Sequence, residues 1–185
     1  CFWVNDEELI EKARFLSTQA RDPAPYYEHS VVGYNYRMSN VLAGIGRGQL
    51  HVLQKRVESR RAIYNQYKRG FKDVPYIAMM PEIKNGYSTH WLSAILIKYD
   101  EYELRSIDSI IEKLKENQIE VRRTWKPMHQ QKLFTQCPYF RHGRSDSVSD
   151  YLFNNAICLP SGSNLTPLDI DRVIYLLLDL MMVLN

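Results

Sequence analysis

Apolar residues recur at three- and four-residue steps along much of the chain, and that period predicts helices. Leu9, Ala13 and Leu16 give one apolar face to a helix over about 6–18, with Asn5 as its cap and acids through Asp6-Glu7-Glu8 in the first turn. A long helix is predicted over 39–69, with Val41, Leu42, Ile45, Leu53 and Val57 on its buried side. Gly44, Gly46 and Gly48 interrupt it. Each mid-helix glycine costs about 1 kcal/mol relative to alanine, so this stretch predicts the close approach of another backbone, within the fold or across a subunit interface. Leu104, Ile107, Ile110, Ile111 and Leu114 mark a further helix, and Asp146–Asn155 another. Thr166-Pro167-Leu168-Asp169 starts the last one, with Thr as cap and Pro in the first position. Ile170, Ile174, Leu177 and Met181 are its inward side.

Shorter apolar runs read as strands: Phe2–Val4, 90–98, Ile119–Arg123 and Ile157–Leu159. Strands alternating with helices around a small sheet predict an α/β chain with an α+β small domain. The domain boundary falls within the long helix, which gives a first part over 1–60 and a small C-terminal domain over 61–185. Residues 19–37 are a loop, because Asp22-Pro23-Ala24-Pro25 blocks regular structure. Its load of Arg21, Tyr26, Tyr27, His29, Tyr34, Asn35, Tyr36 and Arg37 suits a functional loop. The opening Cys-Phe-Trp-Val has a buried-strand composition without an initiator Met or signal peptide, and predicts a piece of a longer polypeptide.

Composition narrows the function classes. At 45% hydrophobic and 24% charged residues the chain matches ordinary globular proteins. Its charge of +3 is spread among acidic residues rather than clustered, which argues against a nucleic-acid surface. Lys55-Arg56 with Arg60-Arg61 reads as a solvated helix face. No run approaches the roughly 20 apolar residues of a membrane span. The three cysteines have no metal-ligand spacing, so free thiols in a reducing cytoplasm are the simplest reading.

Four segments, taken in order, resemble the DegT/DnrJ/EryC1/StrS family of sugar aminotransferases. They are Asn5-Asp6-Glu7-Glu8 with Ala13-Arg14; Gly33-Tyr34-Asn35-Tyr36-Arg37-Met38-Ser39-Asn40 leading into Ala43-Gly44-Ile45-Gly46; Trp125-Lys126-Pro127-Met128-His129; and Cys158-Leu159-Pro160-Ser161-Gly162 with Leu165-Thr166. The third is most similar to members acting on UDP-linked 4-keto-6-deoxy-N-acetylhexosamines. The resemblance implies the C-terminal part of a fold type I enzyme. Its cofactor would be pyridoxal 5'-phosphate, its substrates a nucleotide-linked keto-sugar and an amino donor such as glutamate, and its assembly a cytoplasmic homodimer. The family's cofactor lysine lies in a Ser-Phe-x-x-x-Lys type segment, and none of the lysines here has that context. No catalytic residue is therefore assigned in this chain, which alone should be inactive.

The same resemblance assigns the candidate sites. Asn35 would reach the cofactor phosphate across a dimer, since an amide offers two donors without a buried charge. Otherwise it occupies a turn. Arg37 would pair with a phosphate or substrate, or form a surface ion pair. His129 would hydrogen-bond a sugar hydroxyl or N-acetyl group, Trp125 would stack on a base or sugar, and Lys126 would meet a diphosphate, with Met128 beside them. Tyr27 and His29 would line the nucleotide-sugar channel. Pro160-Ser161-Gly162 reads as a structural turn. The competing function is a non-catalytic sugar-nucleotide-binding or interaction module derived from such an enzyme.

Overall fold

The computed structural model describes residues 4–98, 106–140 and 147–181. Two compact units divide the chain, Cys1–Val52 and Leu53–Asn185. In the first, α1 spans Glu7–Ser17. Its cap is Asp6 rather than the expected Asn5: the Asp6 carboxylate accepts from the Leu9 N–H at 3.1 Å. A carboxylate there also complements the positive end of the helix. Phe2 and Trp3 of the expected first strand lie outside the described residues, and Val4 has no regular structure.

After α1 the backbone turns through two left-handed residues, Gln19 (φ 69°) and Ala20 (φ 51°). Residues 34–36 return alongside it. Tyr34 N–H donates to the Leu16 carbonyl at 2.9 Å, Gln19 N–H to Tyr34 at 3.0 Å and Tyr36 N–H to Ser17 at 3.0 Å. Gly33 has to be glycine here, because a Cβ would fall 2.3 Å from the Ala20 nitrogen and the Gln19 carbonyl carbon.

Helix α2 runs Asn40–Gly70. Its N-terminal half departs from the expected burial: Val41, Leu42, Ile45 and Leu53 are exposed, and Val57 is half-buried. A Cβ at Gly44, Gly46 or Gly48 would have nothing within 4 Å. The amphipathic pattern is there, but no described residue covers it. From Ile63 onward the helix is a core element, with Ile63, Tyr64 and Tyr67 buried.

The second unit is built on a four-stranded antiparallel sheet in the order β1-β2-β4-β3. Its strands are β1 (Ile77–Met79), β2 (Ser93–Ile97), β3 (Arg122–Arg123) and β4 (Ala156–Leu159). Ile77 opposes Ile97, Ser93 opposes Leu159, and Arg122 opposes Cys158. Ser93, Ile95 and Ile97 alternate with the half-buried Ala94 and Leu96, so one face of β2 enters the core. Among the described residues this unit also holds three further α-helices: α3 (Ile107–Glu116), α4 (Val148–Asn155) and α5 (Pro167–Met181). The predicted starts at Leu104 and Asp146 lie outside the described residues; Ser106 caps α3 and Ser147 caps α4. In α5 the predicted cap forms reciprocally. Thr166 N–H donates to the Asp169 carboxylate at 2.8 Å, and Asp169 N–H donates to Thr166 Oγ1 at 3.3 Å.

Ile110, Leu114, Ile157, Leu159, Ile170, Leu177 and Met181 join Tyr67, Phe71 and β2 in one core. The Tyr67 hydroxyl donates to the Pro160 carbonyl at 3.0 Å, and burial pushes its ionisation well above the usual phenol range. An α/β chain with a small sheet and packed helices is the observed class, but two strands are shorter than predicted. Ile119 and Val121 enter the core without pairing, leaving β3 only two residues.

Candidate functional site

The predicted site residues fall into two groups, one in each unit. In the first unit, a cavity of about 880 Å³ is lined by Tyr27, His29, Gly33, Tyr34 and Asn35, with Gln19 at its side. The left-handed turn at 19–20 holds Asn35 there, through a backbone bridge from Asn35 to Thr18. His29 Nδ1 lies 2.9 Å from the Gln19 carbonyl oxygen. A carbonyl only accepts, so Nδ1 carries a proton. Tyr27 is exposed, with the Arg21 guanidinium 4.2 Å above its ring. The Asn35 amide has no hydrogen-bond partner among the described residues.

Arg37 is not in that cavity. The returning segment passes from one hollow to the next, and Tyr36 and Arg37 line a second one of about 660 Å³ with Arg14, Ser17 and Asn5. Tyr34 and Tyr36 stack at 5.4 Å where the segment crosses. Neither Arg14 nor Arg37 forms an ion pair with a described residue. An amide and two unpaired guanidiniums suit a phosphate or another anion. Arg14 was not singled out as a site residue, although Ala13-Arg14 stood in the first of the resembling segments.

In the second unit the tract 125–129 leaves β3. Trp125 is 67% exposed and meets Trp91, 60% exposed, with ring centroids 5.8 Å apart. Both border a cavity of about 490 Å³ that includes Glu120, Arg122, Arg123 and Ser161. Trp91 was read only as part of a strand, and its partnership with Trp125 spans too much sequence for any local pattern to reveal. Lys126 and Met128 are exposed, and Pro127 between them is buried.

Several charges in this unit are already committed to the fold. Arg123 donates to Asp108 at 2.7 Å and to the Phe153 and Asn154 carbonyls at 3.1 Å, tying β3 to α3 and α4. Arg60 donates to the Trp91 carbonyl. Arg61 pairs with Glu82 at 2.9 Å and donates to the Ser88 carbonyl. The Arg61 hydrogen bond, helped by the Ser88 N–H, holds the Glu82 carboxyl down at about 2. His90, adopting φ 46°, stacks on Tyr64 at 3.7 Å. Burial lowers its ionisation against the opposing pull of Glu82. Together these contacts fix the backbone that presents Trp91.

His129 is half-buried. It lies in a short 3-10 turn, Met128–Gln130, and its side chain is 19% exposed. The ring stacks on Tyr139 at 3.7 Å, and Nε2 lies 2.7 Å from Asp150 Oδ1 of α4. Ser161 behaves as the structural turn residue expected of it: buried, it accepts from the Ser93 N–H at 2.8 Å and donates to the Leu159 carbonyl at 2.9 Å. Among the described residues no group of His, Cys, Asp and Glu could hold a metal ion, and no helix is long and apolar enough to cross a membrane.

Known proteins resemble this chain in sequence and in fold. EpsN of Bacillus subtilis (strain 168), provisionally assigned as a pyridoxal phosphate-dependent aminotransferase, is 47% identical over 176 residues, 95% of this chain and 44% of its own length. GDP-perosamine synthase of Caulobacter vibrioides is 29% identical over 92% of this chain and 45% of its own. Among solved structures, Helicobacter pylori PseC, an aminotransferase involved in pseudoaminic acid biosynthesis, superposes with a TM-score of 0.72 at 25% identity. That match covers 95% of this chain and 47% of the other. The chain thus spans about half the length of the relatives it matches. The model of one family fits residues 1–178. The chain belongs to the DegT/DnrJ/EryC1/StrS aminotransferase family, whose enzymes depend on pyridoxal phosphate.

Proposed function

We propose that this chain is the C-terminal part of an aminotransferase that moves an amino group from a donor such as glutamate to a nucleotide-linked keto-sugar, in the cytoplasm, for cell-surface polysaccharide or glycan synthesis. Bound pyridoxal phosphate supplies the electron sink for that chemistry. The lysine that carries it comes from outside these residues, because no lysine here stands in the family's Ser-Phe-x-x-x-Lys context. This chain's own part is to bind and orient. Asn35 donates its amide to the cofactor phosphate of a second subunit in a homodimer, and Arg37, with Arg14 in the same hollow, pairs with an anionic group. Tyr27 and His29 border the path of the nucleotide-sugar. Trp125 offers a stacking face, Lys126 a cation for the diphosphate, and Met128 and His129 the wall near the sugar.

One observation carries this reading. The segment 33–37, one of the four resembling tracts, is pinned by backbone hydrogen bonds while the Asn35 amide is left without a partner among the described residues. A turn residue with no ligand would be free to use its amide locally.

The test is Asn35→Ala in the full-length protein. A hydrogen bond to a charged group is worth about 1.5–3 kcal/mol, so cofactor affinity should fall about 10- to 150-fold with an unchanged fold. Mixing this variant with subunits lacking the cofactor lysine should leave one kind of hybrid site competent, as a contact across the dimer requires. Unchanged cofactor retention would remove Asn35 from the site.

A further inference from the structure

We infer that Asp150 is a positioning residue for His129: it holds the imidazole so that Nδ1 faces outward as a hydrogen-bond acceptor for a donor group, hydroxyl or amide N–H, on the sugar. This rests on the placement of His129 at the sugar site proposed above, and adds what that placement does not contain, the partner and the polarity of the contact.

The geometry fixes both. His129 Nε2 is sealed from solvent, and the polar atom at hand is Asp150 Oδ1 at 2.7 Å, approached without the alignment of a straight hydrogen bond. A bare ring nitrogen there would set its lone pair against a carboxylate oxygen, so Nε2 carries the proton. With the proton on Nε2, Nδ1 carries the lone pair in the neutral form of the ring, the form this contact requires, and Nδ1 has no hydrogen-bond partner among the described residues. Gln130 Nε2 donates to the same Asp150 Oδ1 at 2.6 Å, which keeps that oxygen turned toward the turn carrying His129.

The ring's other freedoms are also removed. Its face lies against Tyr139, with 17° between the planes. The Tyr139 hydroxyl is 2.6 Å from Ser147 Oγ, which is in turn 2.8 Å from Ser149 Oγ. Ser147 caps α4 by accepting from the Asp150 N–H. One short helix start thus holds both the carboxylate at the edge of the imidazole and the hydroxyl that steadies the ring stacked on it. An imidazole clamped at edge and face is suited to a fixed contact, and a packing histidine needs no such oriented partner.

Two measurements on the full-length protein separate the clamp from the function. The sealed Nε2–H should give an imidazole proton resonance downfield of the amides and slow to exchange, assigned by its loss in His129→Gln. Asp150→Ala should abolish it and Asp150→Asn, which keeps an acceptor oxygen, should retain it. In single-turnover half-reactions, Asp150→Ala should lower kcat/KM for the keto-sugar about 10- to 100-fold, by analogy with the loss of a group that orients a metal-ligating imidazole. The amino-donor half-reaction should be unchanged, and Asp150→Asn should recover most of the loss. A resonance that survives Asp150→Ala overturns the clamp, and equal losses in both half-reactions overturn its role toward the sugar. A protein that shows the resonance pattern but converts no keto-sugar refutes the proposed function and leaves only the clamp.

Discussion

Gly33→Ala tests how the first cavity is held. A Cβ at this position would sit 2.3 Å from the Ala20 nitrogen and the Gln19 carbonyl carbon, whereas ordinary contact begins at 3.4 Å. The two segments must therefore part by about 1.1 Å. Backbone atoms cannot swing aside as a long side chain does, and the left-handed turn at Gln19 and Ala20 leaves no slack. The bonds from Gln19 N–H to Tyr34 and from Tyr34 N–H to Leu16, now 3.0 and 2.9 Å, would stretch beyond hydrogen-bond length. Overpacking of this kind costs about 1–3 kcal/mol, and each of the two bonds adds about 0.5–1.5. The sum, about 2–6 kcal/mol, is local to this unit and acts on the residues that flank Asn35. In the full-length protein, hydrogen exchange should accelerate at the amides of residues 19, 20, 34 and 36 while the β2–β4 pairing stays protected. Cofactor retention should fall at least as far as in Asn35→Ala. Unchanged exchange at those four amides would refute the reasoning, since it would mean the alanine methyl had been accommodated without parting the segments.

Two further outcomes bear on other parts of the chain. The folded-state value of Glu82, about 2, lies below its ordinary 4.5, so the unfolded chain binds the proton more readily. Stability from the Arg61 pair is complete above pH 4.5 and is lost as pH falls toward 2; Glu82→Gln should flatten that acid limb in urea midpoints taken across the window, and an unaltered limb would contradict the pairing. Gly44→Ala should gain about 1 kcal/mol from helix propensity alone, yet in the full-length protein it should lower the melting temperature, as close approach of another backbone requires; a rise would show that nothing packs there.

The helices were legible because their signals are local. The caps of α5 and the 3.6-residue spacing of its apolar side lie within a few residues of one another, and the reciprocal bonds of Thr166 and Asp169 follow from that spacing. Asp6 displacing Asn5 as the cap of α1 is a one-residue error between two good capping residues. Burial is a different matter. The period of Val41, Leu42 and Ile45 marks a side of α2 that is apolar, but it cannot say what covers that side, and no described residue does. The strand β1 escaped because three residues, Ile77–Met79, are too few to establish an alternation. Ile119–Val121 misled in the opposite way, since an alternating stretch whose apolar residues plug the core looks the same in sequence as one that pairs.

The site divides along the same line between local and remote. The tract Trp125–His129 could be recognised within a short stretch of sequence through its resemblance to the family, and so could 33–37. What gives each residue its chemistry came from elsewhere in the chain: Asp150 from α4 for His129, Trp91 for Trp125, Gln19 for His29. Even the near pair Asn35 and Arg37 behaves this way. Two residues apart in an extended segment, they would be expected to share a ligand, but the segment leaves one hollow and enters another between them. If the full-length protein binds its cofactor as proposed, Asn35 and Arg37 answer to different groups, and exchanging Arg37 should leave cofactor affinity closer to normal than exchanging Asn35. A sequence motif thus fixes which residues stand ready, while the turn at Gln19 and Ala20 decides which hollow each one lines.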